Sequence, residues 1–271
     1  MNLVTSVILG IIQGLTEFLP ISSSGHLVFF QNLLGIKEPE LLFDISLHLG
    51  TLVAICLYFR SDLKMMITET WRFTLHVVQG RERITQVHDR PHAALTLWVL
   101  VGTFPTALIG VAFKPIIEEL FGSVTIVGFM MVVTGLIIGI TRLIPKDYNK
   151  RNDVGLWTAV AIGIVQGIAI IPGISRSGST IVCGMVCKLR KDLAARFSFL
   201  LSIPAVFGAM VLQFGTEGFE KINPLMLITG FITSTLVGLL ALKIFMGMVR
   251  RGNLAYFAPY CWAMGLVILF L

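Results

Sequence analysis

Apolar runs of about 20 residues recur at 41–60, 92–113, 123–143, 192–214, 224–249 and 254–271. Each is long enough to cross a hydrocarbon core of about 30 Å as a helix. Inside lipid every backbone N–H and C=O must find a partner within the chain, so spanning segments are helices or closed barrels. The alternating segments of about ten residues that build a barrel are missing, and helices remain. Composition agrees: 13% of the 271 residues are charged and the mean hydropathy is +0.87, far too apolar for a soluble domain of this length. The expected fold class is an all-α integral membrane protein. No Lys or Arg precedes the first apolar stretch and no small-residue cleavage site follows it, so it reads as retained rather than as a removable signal.

Two further apolar regions, 3–34 and 156–187, do not fit a single span. Each has a first arm (3–18; 156–171), a Pro/Ser/Gly break, and a short second arm (25–34; 178–187). Ten helical residues rise only about 15 Å, half the hydrocarbon thickness, so each region reads as a re-entrant hairpin that enters and leaves by one face. Charge tests this topology. With both hairpins re-entrant, sixteen Lys and Arg fall on one face and three, Lys37, Lys114 and Lys221, on the other, with seven acids on each. The positive-inside rule then puts the basic face in the cytoplasm and both termini outside. The same bias explains the net charge of +6 without a nucleic-acid partner. The segment from Arg60 to Arg90 mixes Trp71, Phe73 and Leu75 with charges and reads as an interfacial helix or as a solvated loop.

The breaks are related. At an offset of 153, GIIQGLTEFLPISSSGHL (10–27) and GIVQGIAIIPGISRSGST (163–180) share eight of eighteen residues. The chain reads as a duplication, repeat 1 about 1–122 and repeat 2 about 154–271. Three full spans separate the hairpins, so one dips in from each side, an inverted-topology repeat whose tips meet near the midplane. The expected architecture is six transmembrane helices plus two re-entrant hairpins. Irregular backbone at that depth must be enclosed by protein or line a wet cavity, which makes the tips a polar pocket. Close helix packing is the plainer use of their Ser and Gly residues.

Each turn leads into the N-terminus of a half-helix, where unpaired N–H groups and the dipole favour an anion. The turn residues Ser22, Ser24, Gly25, Ser175, Ser177 and Gly178 are the expected anion cradle. Arg176 presents a fork suited to phosphate oxygens, or forms a structural ion pair with Glu17. The repeats differ where reactivity would sit: Glu17, Ser23 and His26 face Ile170, Arg176 and Ser179 in the alignment. Gln13 and Glu17, four apart, share a helix face and could hold a hard divalent cation, Mg²⁺ or Ca²⁺, at Glu17. The serines offer nucleophiles or helix caps, and His26 an acid or base. Asp44 and His48 read as a local hydrogen-bonded pair near the interface, with lining the pocket as the lesser alternative; Glu118, Glu119, Glu217 and Glu220 read as solvated acids, and the four cysteines as packing residues. A metal at Cys183 and Cys187 is the lesser alternative.

QGLTEFLPISSSGHL followed by PGISRSGST, with RFSFLLSIPA at 196–205, resembles the undecaprenyl pyrophosphate phosphatase family of the bacitracin-resistance type, and the likeness covers essentially the whole chain. The resemblance implies a metal-dependent enzyme of the bacterial inner membrane, opening to the outer face. Such an enzyme removes the terminal phosphate of a C55 isoprenoid diphosphate, regenerating the lipid carrier for cell-wall synthesis. Its motifs fall on Gln13 and Glu17, on Ser22, Ser23, Ser24, Gly25 and His26, and on Pro172 to Gly178 with Arg176 as phosphate clamp. Some members carry Glu where this chain has Gln13, one carboxylate more for a metal. The nucleophile is Ser23, His26 or a Glu17-activated water; Ser23 assisted by Glu17 and His26 is the preferred assignment. A homodimer is compatible with this reading. A transporter or flippase of a phosphorylated lipid is the competing class, since inverted repeats with re-entrant hairpins are a transporter design.

Overall fold

The structure, a computed structural model, describes residues 2–36, 41–145, 151–213, 223–251 and 254–270. It is all-α: α1 (Leu3–Thr16), α2 (Ser23–Leu33), α3 (Leu41–Tyr58), α4 (Arg60–Val78), α5 (Pro91–Ala112), α6 (Lys114–Phe121), α7 (Val124–Gly139), α8 (Leu156–Ile168), α9 (Arg176–Val186), α10 (Lys191–Gln213), α11 (Pro224–Arg251) and α12 (Ala258–Phe270). Among the described residues the sole β pairing is an isolated bridge between Arg151 and Leu189.

Four helical stretches are long and apolar enough to cross a membrane: Pro91–Ala112, Val124–Arg142, Lys191–Val211 and Pro224–Arg251. α3 passes the same test only together with α4, from which it bends by 73°, and Leu254–Phe270 is shorter. The chain is a multi-pass α-helical membrane protein. α4 resolves the two readings of the segment after Arg60 in favour of a helix. It leaves the span at a steep angle and exposes Ile67 and Trp71 beside its charges. The ion pair between Asp62 and Arg196 ties α4 to α10. In the turn beyond α4, Glu82 accepts hydrogen bonds from Arg90 at 2.5 Å and His76 at 2.9 Å, which hold its carboxyl below the usual carboxylate range.

Both expected breaks are present, each separating a pair of short helices, α1–α2 and α8–α9, by a turn of a few residues. Their first arms pack on spans from the other half of the chain, α1 on α11 and α8 on α5. Glycines permit this approach. A Cβ on Gly14 would come 2.9 Å from the Gly238 nitrogen, and one on Gly10 would come 2.8 Å from Thr233 Cβ. Their counterparts at the offset of 153 behave alike: a Cβ on Gly167 would come 2.7 Å from Ile109 Cδ1, and Gly163 lies against the Gly102 carbonyl. Small residues four apart let two backbones close in where lipid offers no hydrophobic drive between helices. Fully buried Phe18, packed edge-on to Phe199 with centroids 5.8 Å apart, pins the first turn to α10.

Lys37, Glu38, Glu40, Lys146, Lys150, Glu217, Glu220 and Lys221 lie outside the described residues, as does the side chain of Glu118; Glu119 is exposed on α6. The four cysteines are free, and among the described residues no three His, Cys, Asp or Glu side chains gather around a common point.

Candidate active site

The two turns touch. Ser24 Oγ, in the first, accepts a hydrogen bond from the Gly173 N–H of the second at 3.3 Å. Reciprocally, Ser177 Oγ donates to the Leu19 carbonyl at 3.2 Å. A Cβ on Gly178 would sit 3.1 Å from Pro20 Cβ. Thr134 of α7 braces the second turn, donating to the Gly173 carbonyl and accepting from the Ser175 N–H, each at 2.9 Å.

Within each turn the serines repeat one pattern. Ser22 caps α2 by accepting from Gly25 N at 3.2 Å, and Ser175 caps α9 by accepting from Gly178 N at 3.1 Å. Ser22 and Ser24, like Ser175 and Ser177, hold their hydroxyl oxygens 3.3 Å apart. Capping is therefore what the Ser22 and Ser175 hydroxyls do here. Ser22 adopts φ 66°, the left-handed region that a non-glycine residue enters only under constraint. Gly25 is needed for closeness, since its Cβ would fall 2.8 Å from Met131 Sδ.

Glu17 lies just past α1 and is 7% exposed. Its carboxylate accepts hydrogen bonds from Gln13 Nε2 at 2.9 Å, from Ser23 Oγ at 2.5 Å, and from Arg176 Nη2 across the two hairpins. The ion pair that stood as the alternative to phosphate binding is thus formed. It engages one nitrogen of a guanidinium that carries five N–H donors. Gln13, Glu17, Ser23 and Arg176 form one connected cluster. His26 stands to one side: its Nδ1 donates to the Ser22 carbonyl at 2.7 Å and its Nε2 faces the Tyr260 hydroxyl at 2.7 Å. It makes no direct hydrogen bond to Ser23, whose proton points at Glu17.

His48 is not simply the local partner of Asp44. Its Nδ1 lies 3.0 Å from Gln13 Nε2 and 3.8 Å from Glu17 Oε2, while Asp44 accepts from Gln31 Nε2 at 2.7 Å. Tyr260 is the site residue that sequence reasoning missed, while His48 takes the lesser of its two readings and stands beside Gln13 and Glu17. For His48 the i,i+4 pairing with Asp44 was the nearer signal. For Tyr260, 234 residues from His26, nothing local pointed to the contact.

The donor set suits a divalent cation. Gln13 Oε1 is buried without a hydrogen-bond partner, on the amide whose nitrogen donates to the Glu17 carboxylate that Ser23 also reaches. An orphaned hard oxygen in that setting fits Mg²⁺, which keeps several waters and needs few protein ligands, better than Ca²⁺, which takes six to eight oxygens.

The chain is similar along nearly its whole length to known proteins. A family model described as "Bacitracin resistance protein BacA" matches residues 6–267. The chain is 44% identical to the undecaprenyl-diphosphatase of Desulforapulum autotrophicum over 98% of this chain and 97% of that one. It is 43% identical to the undecaprenyl-diphosphatase of Desulfatibacillum aliphaticivorans over 97% and 96%. The similarly named protein of Methanobrevibacter smithii is 39% identical over 99% and 97%.

Proposed function

Because the chain belongs to the BacA bacitracin resistance protein family, we propose that it is an undecaprenyl-diphosphatase. It hydrolyses undecaprenyl diphosphate to undecaprenyl phosphate and inorganic phosphate, a membrane reaction that recycles the lipid carrier of cell-wall synthesis and bears on bacitracin resistance. The observation that carries the reading at the level of this chain's atoms is the cluster at the hairpin tips: a hydroxyl 2.5 Å from a buried carboxylate that a guanidinium from the other repeat also holds.

The chemistry follows from that cluster. Ser23 is the nucleophile and Glu17 its general base, since the Ser23 O–H already points at Glu17 Oε2. As the proton moves to Glu17, Oγ bonds to the terminal phosphorus and the bond from phosphorus to the bridging oxygen breaks. Undecaprenyl phosphate departs, and water then hydrolyses the phosphoserine to free phosphate and the original hydroxyl. Arg176 holds the terminal phosphoryl oxygens with its remaining donors. The turn residues Ser22, Ser24, Gly25, Ser175, Ser177 and Gly178 shape the cradle at two half-helix N-termini, whose dipoles favour an anion. His26 assists through the Ser22 carbonyl that it grips. Glu17 and the Gln13 amide oxygen are the residues that would hold Mg²⁺, which when bound offsets phosphate charge.

The finer topology belongs to the same proposal. Six spans and two re-entrant hairpins form an inverted repeat in the bacterial inner membrane, termini outside and the site open to the outer face. Support comes from the sixteen-to-three cation asymmetry and from the exchanged tip contacts Ser24–Gly173 and Ser177–Leu19. The test is phosphate release from farnesyl diphosphate with Mg²⁺ by the purified protein. Glu17→Ala and Arg176→Ala should abolish it; wild-type release no greater than that of Glu17→Ala overturns the assignment.

A further inference from the structure

His26 is 2% exposed and both its ring nitrogens are engaged. The Ser22 carbonyl can only accept, so Nδ1 carries the proton and donates it at 2.7 Å. In the neutral ring Nε2 is then a lone pair, and the Tyr260 hydroxyl 2.7 Å away must donate to it. The rings lie parallel, 1° between planes and centroids 5.7 Å apart. The first turns of α12 dock on the same hairpin a second time, where Cys261 Sγ reaches the Pro20 carbonyl at 3.5 Å.

We infer that Tyr260 is a positioning residue of the reaction: the chain Tyr260 O–H to His26 Nε2, His26 Nδ1–H to Ser22 C=O, clamps the left-handed turn that aims Ser23 at Glu17. Ser22, at φ 66°, immediately precedes Ser23 and needs an external restraint to stay in that conformation. The His26–Ser22 bond supplies it, and Tyr260 fixes the ring that makes the bond. A carbonyl held by a ring whose other nitrogen is held in turn is the arrangement by which outer groups orient reacting ones. The inference rests on the phosphatase reading.

Tyr260→Phe keeps the parallel ring and removes the hydroxyl. With farnesyl diphosphate and Mg²⁺, kcat should fall about 10- to 100-fold, the usual effect of losing such a partner. KM should stay within about twofold, because Arg176 and the cradle still bind the diphosphate. In a His26→Ala background the substitution should add nothing further. Tyr256→Phe, exposed on the same segment, should match wild type. With ¹⁵N-histidine labelling, the His26 Nε2 resonance should move downfield in Tyr260→Phe, as an imine nitrogen losing a donated hydrogen bond does.

Wild-type kcat in Tyr260→Phe, or losses that multiply with those of His26→Ala, overturns the inference. So does a wild-type spectrum in which His26 carries its proton on Nε2, a result that needs no variant to fold. Absence of phosphate release by the wild type would instead remove the phosphatase reading, while the spectrum would still report on the Tyr260–His26 bond.

Discussion

Glu17 sits where three kinds of partner converge: an amide one helical turn back, a hydroxyl from the next helix, and a guanidinium from the other hairpin. A buried carboxylate needs such company, since an unpaired charge away from water is costly. Two neighbouring serines should separate structure from chemistry. Ser22→Ala removes a cap and should lower stability by about 1 kcal/mol. Ser23→Ala, which caps nothing but takes one hydrogen bond from Glu17, should lower kcat by at least about 10²-fold, far more than its loss of folded protein accounts for. Phosphate release and thermal unfolding in detergent check both. The orphaned Gln13 Oε1 yields a second expectation. Gln13→Glu should lower the Mg²⁺ concentration for half-maximal activity and Gln13→Leu raise it, read from Mg²⁺ titrations of the chelator-stripped protein. Gln13 and Glu17 were legible because i,i+4 neighbours share a helix face; His48 was legible only as the lesser reading and Tyr260 not at all, because partners on distant helices leave no local period.

At the level of elements, the hairpin arms were the most legible feature. Expected arms at 3–18 and 25–34 became Leu3–Thr16 and Ser23–Leu33, and those at 156–171 and 178–187 became Leu156–Ile168 and Arg176–Val186. Pro, Ser and Gly end a helix for local reasons, so a single sequence carries that information. The course of α4 was not decided there, because a segment mixing Trp71 with charges satisfies either a loop or a helix until packing such as Asp62–Arg196 selects one. The glycines permit a sharper test. Gly14 and Gly208 both lie inside helices, but a Cβ at Gly14 meets the α11 backbone at 2.9 Å, whereas at Gly208 it meets nothing within 4 Å. Gly14→Ala should therefore destabilise, by about 1–3 kcal/mol if overpacking dominates. Gly208→Ala should stabilise by up to about 1 kcal/mol through helix propensity. Thermal unfolding of the two variants in one detergent reads the opposite signs.

For the whole molecule, two hairpins of similar sequence build the site and the residues in which they differ arm it. Each tip sends the counterpart serine to the backbone of the other turn, Ser24 accepting from Gly173 and Ser177 donating to Leu19, and the first arms exchange spans, α1 packing on α11 and α8 on α5. In the proposed topology one hairpin enters from each side, and a two-fold axis in the membrane plane accounts for that reciprocity. Only the first carries a carboxylate and an imidazole, with Ser23 where the second has Arg176; only the second supplies the guanidinium. Neither half holds the site alone. The proposed topology predicts what an external reagent can reach. If the basic loops face the cytoplasm, a cysteine placed at Asn2 in a chain lacking its four native cysteines should react with an impermeant maleimide in intact cells. One at Gly80, in the turn after α4, should react only after the membrane is opened. Labelling of Gly80→Cys from outside would invert the topology and put the mouth of the first hairpin, with Glu17 and Ser23, on the cytoplasmic side, where a carrier diphosphate released at the outer leaflet could not reach it without first crossing the bilayer.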